Sequence, residues 1–318
     1  MAAAISAVPT RRLGRTDESV SMVAMGGGHL GTSVLSDVEA VHLIHRGIDQ
    51  GITFLDNSWD YDDGRSEERM GAAIGRGGYR RRVFLATKFD GRDRQTAAKQ
   101  LDESLRRLQT DHIDLWQFHE NIRPDDADRA FAPGGAIEAM IAAQEAGKVR
   151  FLGFTGHKDP DYHVHMFEVA AKHGFVFDTV QMPLNIMDPH FRSFERGVIP
   201  LAQQTDTGII AMKTFGDRSV LDTRIATPLQ MLHYSMSLPV ASVVNGVNSI
   251  YTLDEAVTAA VSFRPLSETQ VTALLARSAA QAANGALERY KISANFDATV
   301  HHPEWMGEPE PPQTEPHS

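Results

Sequence analysis

Short apolar, β-branched runs recur along the chain and predict strands over 21–25, 53–55, 83–87, 113–118, 151–154, 177–181, 209–213 and 241–244. Their spacing of roughly 25 to 40 residues is that of one strand, one helix and their loops. The runs are continuously apolar rather than alternating, as expected of strands covered on both faces. Between them the period changes. Leu101, Leu105 and Leu108 fall at i, i+4, i+7, as do Leu253, Val257 and Ala260, with Ala256 filling i+3. Ile137, Met140 and Ile141 form another stripe, closed by Gly147 in the position of a helix C-terminal cap.

Eight strands, each followed by a helix, predict a closed (β/α)8 (TIM) barrel over about 11–263 rather than an open doubly wound sheet. An open sheet would carry a GxGxxG fingerprint after its first strand. The chain has GGGHLG at 26–31, which lacks that order and enters no immediate helix. Residues 11–13 and 19–21 flank a turn at 14–17 and read as a short N-terminal hairpin closing the barrel floor. After Phe263 comes a C-terminal helical and loop extension over 264–318, with a helix at about 268–285. Its last dozen residues, GEPEPPQTEPHS, have the Pro/Glu-rich composition of a disordered tail. Nothing suggests a second domain, so 1–318 reads as one barrel domain.

Composition narrows the functional classes. With 42% hydrophobic and 23% charged residues in 318, the chain is ordinary globular protein. A net charge of -10 argues against a phosphate-tracking nucleic-acid binder. Cysteine is absent, which removes disulfides, thiolate zinc sites, iron–sulfur clusters and thiol nucleophiles. No apolar run approaches the ~20 residues of a membrane helix, and no charged region precedes an apolar stretch at the N-terminus. A cytoplasmic location away from membranes is the expectation.

Chemistry in such a barrel sits at the C-terminal ends of the strands. Asp56 ends the second, with Tyr61 five residues on; Lys88 ends the third and His119 the fourth. Singly, each has an ordinary explanation as a turn residue, a snorkelling lysine or a core histidine. Neighbouring strands lie only about 4.8 Å apart, so together these groups converge on one mouth. A lysine buried there needs a partner, and Asp56 is the nearest. The ammonium should favour the Tyr61 phenolate, drawing its pKa down from about 10 toward the working range. Tyr61 is then a proton donor to a carbonyl oxygen and an acceptor from an alcohol, with His119 holding the same oxygen. Such a cluster supplies no hydride, which calls for a nicotinamide cofactor. Gly216 after the seventh strand and the segment 245–249 after the eighth are candidates for its phosphates, while Thr155 and Gln181 are candidates for its carboxamide.

These residues carry a resemblance to the aldo-keto reductases, from about Arg11 to Phe263. RRLGRTDESVSMVAMGGG, with Gly26 and Gly27, is similar to that family's opening hairpin and first strand. DNSWDYDDGRSEERMG resembles its D-x4-Y-G-x-G-x-S-E signature, with Asp62 where the family has Gly. The resemblance implies a tetrad in which Tyr61 is the general acid, Lys88 tunes it, Asp56 pairs with Lys88 and His119 orients the substrate. On the cofactor side the family's G-[VI]-S-N is here Gly153, Phe154, Thr155 and Gly156, followed by His157 as a substitute for the lost amide. Gln181 matches the carboxamide ligand. Met212 stands where an aromatic usually stacks on the nicotinamide, with Lys213 and Phe215 beside it. After the eighth strand, Gly246 and Thr252 occupy positions that are often Lys and Arg in NADP-selective members, Asn248 lies between them, and Glu255 matches an adenine contact. The resemblance favours NADP(H) over NAD(H), and a small-molecule carbonyl or alcohol as substrate.

His29, Trp59 and Phe89 are candidates for the substrate pocket, as is the loop over 120–135, and Trp305 is a candidate to fold back from the tail over the mouth. No metal is called for: His42 and His45 read as a plain helix face, and His163, His165, His301 and His302 as surface or tail residues. Trp116 reads as barrel core. Two other readings compete with a carbonyl oxidoreductase. One is a barrel in which Lys88 forms a Schiff base, as in an aldolase, against which the charge of Asp56 weighs. The other is a nucleotide-sensing barrel with little turnover.

Overall fold

Hydrophobic strands too short to bury themselves close on one another through their backbones. In the computed structural model, which describes residues 7–308, eight parallel strands form a closed barrel. They are β3 (Val23–Gly26), β4 (Phe54–Asp56), β5 (Phe84–Phe89), β6 (Ile113–Phe118), β7 (Val149–Thr155), β8 (Thr179–Pro183), β9 (Gly208–Met212) and β10 (Ser242–Gly246), paired in sequence order with β10 closing onto β3. The predicted hairpin is β1 (Thr10–Arg12) paired antiparallel with β2 (Ser19–Ser21). Each barrel strand leads to a helix on the outside: α1 (Asp37–Asp49), α2 (Arg65–Ile74), α3 (Arg94–Arg107), α4 (Ala136–Glu145), α5 (Pro160–Lys172), α6 (Ile199–Gln204), α7 (Pro228–Ser237) and α8 (Ile250–Val261). The extension adds α9 (Glu268–Ala282). No helix among the described residues is long and apolar enough to cross a membrane. The dozen tail residues read as disordered lie, from 309 on, outside the described residues.

Strand alternation then sorts the side chains. Val23, Met25, Leu55, Leu85, Trp116, Phe118, Leu152, Phe154, Val180 and Ile209 point outward into the core shared with the helices, which places Trp116 as expected. Ala24, Phe54, Phe84, Ala86, Leu115 and Ile210 point inward, where Leu13 and Val20 of the hairpin segment seal the bottom of the barrel. The inward positions one step further along each strand are those that reach the mouth.

One histidine departs from the surface position expected of it. His163 on α5 is fully buried between Phe154 and Phe194, with ring centroids 5.1 and 5.0 Å away. Its spacing to Met166, Val169 and Ala170 puts it on the apolar face of that helix. Burial lowers its pKa from 6.5 to about 3, so between those values the unfolded chain binds the extra proton and stability falls as pH falls. At pH 5 the loss amounts to about 2 kcal/mol. Urea unfolding of His163→Leu should therefore show about 2 kcal/mol less destabilisation than wild type between pH 7.5 and pH 5. Equal pH dependence in the two proteins would show that His163 is not held neutral.

Candidate active site

Asp56 on β4, Lys88 on β5, Gln117 and His119 at the end of β6, Thr155 on β7 and Gln181 on β8 share the inward parity and gather above the apolar layer. Lys88 is 1% exposed and donates to Asp56 Oδ2 at 2.9 Å and to the Asn57 carbonyl at 2.5 Å. Gln181 bridges the floor of the site, its Nε2 donating to Asp56 Oδ2 at 3.2 Å and its Oε1 accepting from Gln117 at 2.8 Å. Tyr61 follows β4 in a single turn (Tyr61–Gly64) and lays its ring 5.0 Å from Lys88 Nζ and 6.0 Å from the His119 ring. Asp62, in place of the usual Gly, keeps a left-handed backbone at φ 51°, and Asp63 follows at φ 56°. The structure thus brings Asp56, Tyr61, Lys88 and His119 together.

The electrostatics correct one expectation. Tyr61 does not drift toward neutrality: burial, then the carboxylates of Asp56, Asp60, Glu120 and Asp90, raise it well above its ordinary value. Lys88 spends its charge on Asp56, leaving the acidic mouth to decide. A phenol held protonated is a proton donor rather than a base at rest.

Three residues that the sequence reading passed over surround His119. Its Nδ1 lies 3.0 Å from Asp90 Oδ1, 3.5 Å from Asp60 Oδ1 and 3.3 Å from Ser58 Oγ. Burial opposes a charge on this ring, but Asp60, Asp90 and Glu120 outweigh it and raise the pKa from 6.5 to about 9. Asp60 is itself raised, by burial first and then by Asp90. The signal for Asp90 was available: it stands two residues after Lys88 and so shares its parity.

The candidate cofactor residues divide. Thr155 Oγ1 is buried at the mouth without a hydrogen-bond partner among the described residues, the state of a group awaiting a ligand. Met212, Lys213 and Phe215, at and after the end of β9, are half-buried. Burial lowers the pKa of Lys213, whose ammonium lies 4.9 Å from the Phe296 ring and 5.8 Å from that of Tyr290. Gly216 turns the chain at φ 60°, a left-handed conformation that suits glycine. Gly26, Gly27 and Gly156 pack against Val244, Asn57 and the Asn121 backbone, respectively, so they serve packing rather than an open cradle. His157 is not free to replace an amide, because its Nε2 pairs with Asp297 of the tail at 2.6 Å. Gly246 is covered by His29, whose Nδ1 would lie 2.5 Å from a Cβ built there. The Thr252 hydroxyl is committed to the start of α8, donating to the Ser249 carbonyl at 3.0 Å and accepting from the Asn248 and Ser249 amides at 3.2 Å. Asn248 is exposed, and Glu255 is half-buried on the same helix with its pKa raised by burial.

Of the pocket candidates, Trp59 lines the rim, held by a 2.7 Å bond from Nε1 to Glu103, and Trp305 meets it edge-on at 5.5 Å. Phe89 does not reach the mouth. One residue past Lys88, it has the opposite parity and packs 4.2 Å from Trp116 behind the barrel. The tail forms a band along one side of the rim. Lys291 is buried between Asp188 and Glu288, Asp297 joins Lys158 at 2.8 Å, Glu120 accepts from the amides of Ala298 and Thr299 at 2.9 Å, and the Trp305 carbonyl accepts from Gln100 at 2.8 Å. His45, on the helix face where a metal was not called for, bonds to the Ala73 carbonyl at 2.8 Å and stacks on Tyr79.

Comparison with known proteins agrees with this geometry. The model of the Aldo/keto reductase family matches residues 22–234. The aldo-keto reductase YhdN of Bacillus subtilis is 30% identical over 203 residues, 59% of this chain and 56% of the relative. The 6-dehydroglucose reductase of Novosphingobium aromaticivorans is 32% identical over 160 residues, 46% of this chain and 50% of the relative. The chain thus spans about half the length of these curated relatives. Among solved structures, the holo form of the aldo-keto reductase AKR11C1 from Bacillus halodurans has a TM-score of 0.70 at 23% identity, covering 85% of this chain and 96% of its own, a likeness of fold.

Proposed function

The chain belongs to the aldo/keto reductase family, and from that premise we propose that it interconverts a small carbonyl compound and the corresponding alcohol with a nicotinamide cofactor. The observation that carries the proposal is the convergence of a protonated Tyr61, the Lys88–Asp56 pair and His119 at one mouth. The orphaned Thr155 hydroxyl fits the carboxamide of the cofactor, and Met212, Lys213 and Phe215 fit its nicotinamide end. When bound, that group supplies the hydride. The chain's own residues do the rest. Tyr61 donates its phenolic proton to the carbonyl oxygen, His119 fixes that oxygen, and Lys88, anchored by Asp56, stabilises the phenolate left behind. The Schiff-base reading is disfavoured by Lys88 being committed to Asp56 and the Asn57 carbonyl. A cytoplasmic location belongs to the same proposal. Loss of reduced-nicotinamide absorbance over a panel of aldehydes, ketones and sugars tests it. Tight cofactor binding with no turnover across that panel would favour a nucleotide sensor instead.

We also propose that NADP(H) is preferred over NAD(H), by a small margin. With Thr252 occupied in capping α8, no guanidinium or ammonium stands ready to clamp a 2′-phosphate there. Thr252→Arg should tighten NADPH by about tenfold or more and leave NADH nearly unchanged, since one charged hydrogen bond contributes about 1.5–3 kcal/mol. Quenching of tryptophan fluorescence during titration with each cofactor reads the ratio. An unchanged ratio would place the adenosine end elsewhere.

A further inference from the structure

The side chains around His119 come from three successive strand ends and have no role in the four-residue chemistry above. Asp60 and Ser58 follow β4, Asp90 follows β5, and Glu120 is the next residue after His119. One oxygen from each of Asp60 and Asp90 and one nitrogen of His119 lie within 4.8 Å of one another. Asp90 is fully buried, and the side chains of Asp60 and His119 are 7% and 9% exposed. Both carboxylates address the same ring nitrogen, Nδ1, and Asp60 Oδ1 and Asp90 Oδ2 have no hydrogen-bond partner among the described residues. Two buried carboxylates facing one imidazole carry a charge that one proton on that imidazole offsets. The nearby guanidinium, Arg92, is turned away: it pairs with Asp126 at 2.9 Å and gives its remaining bonds to the backbone carbonyls of Asp90 and Glu120. Lys88 is paired with Asp56, so His119 is left as the counter-charge.

We propose that Asp90, with Asp60 behind it, is a positioning residue that holds His119 with a proton on each ring nitrogen, so that the substrate oxygen meets a cationic donor at Nε2. The carboxylates fix the Nδ1–H and the ring plane, which leaves Nε2 as the nitrogen that meets the substrate. The inference rests on the carbonyl-reductase reading, which it deepens. During reduction His119 keeps both protons. The hydride goes to the carbonyl carbon, the π pair moves to oxygen, and the proton that reaches oxygen leaves Tyr61, while the imidazolium offsets the negative charge growing there.

The test separates this inference from the function it deepens. Nitrogen-15 spectra of the full chain labelled at histidine, with the His119 signals assigned by their loss in His119→Gln, should show both ring nitrogens protonated at pH 7.5 and a midpoint near 9. Asp90→Asn should lower that midpoint by one unit or more, and Asp60→Asn/Asp90→Asn further, to below 7. Asp90→Glu, which keeps the charge, should hold it within about half a unit of wild type. If turnover exists, its alkaline limb should move with the same midpoint in the same variants. A wild-type midpoint at or below 6.5, or one that Asp90→Asn does not move, overturns the proposal whether or not any carbonyl is reduced. Absent turnover with an intact midpoint near 9 would count against the reductase reading and leave the ion cluster standing.

Discussion

Tyr61→Phe should lose about 10² to 10⁴ in turnover, the usual cost of removing an acid–base group, while binding cofactor within about twofold of wild type. The two halves of this expectation come from different observations. The ring is half-buried between Lys88 and His119 and still packs without its oxygen. Burial and the surrounding carboxylates keep the phenol protonated, and among the described residues its oxygen makes no hydrogen bond, which leaves it to the substrate. Stability should therefore change little, within about 0.5 kcal/mol for a substitution that removes no buried bond. Steady-state reduction, fluorescence titration and urea unfolding on the same preparation measure all three. Turnover near the wild-type rate would remove Tyr61 from the chemistry. A large loss of stability would show instead that its oxygen is structural.

On the proposed reading, the raised pKa of Tyr61 gives the two directions of the reaction opposite pH dependences. A phenol that stays protonated across the neutral range donates readily and accepts only after losing its proton. Carbonyl reduction should thus hold steady toward alkaline pH until His119 begins to lose its charge near 9, whereas alcohol oxidation should rise with pH. The sequence reading put the lysine's charge on the tyrosine. What it lacked was the count of carboxylates at the mouth.

How far the chain can be read depends on which contacts are local. Strand positions, the hairpin and the tetrad follow from short apolar runs with polar residues at their ends, because a barrel converts sequence order directly into spatial order. Alternation alone separates Lys88 and Asp90, which face inward, from Phe89, which faces the helices, so the error at Phe89 was avoidable. The fate of His157 was not. Its partner Asp297 lies in a tail without apolar period, far along the chain, and only the assembled rim brings them together. Trp59 and Trp305, both named from the sequence as candidates beside the mouth, likewise meet across a long span of chain. His163 shows a third kind of failure: a histidine two places from another reads as surface, although the face of α5 that carries it, with Met166, Val169 and Ala170, is the buried one.

Lys88→Met should cost about 3–5 kcal/mol in folding stability, because it strands Asp56 in the barrel with no charge partner. Asp56 is 2% exposed, and Gln181, its remaining neighbour, offers one amide at 3.2 Å. The double variant Asp56→Asn/Lys88→Met removes both charges and should recover most of that loss, since replacing a buried pair by neutral groups is often close to neutral. Turnover should behave differently. Lys88 stands 5.0 Å from the Tyr61 ring, where the negative charge appears once the proton has left. Removing that cation should cost about 10² to 10³ in rate, the range for a preorganised electrostatic group, and the double variant should not restore it. Urea unfolding and steady-state turnover of wild type, Asp56→Asn, Lys88→Met and the double variant separate the two roles. Recovery of turnover together with stability would mean that the pair only holds the barrel together. Full turnover in Lys88→Met alone would mean that the phenolate needs no cation, and that Asp60, Asp90 and His119 set the chemistry of the mouth without it.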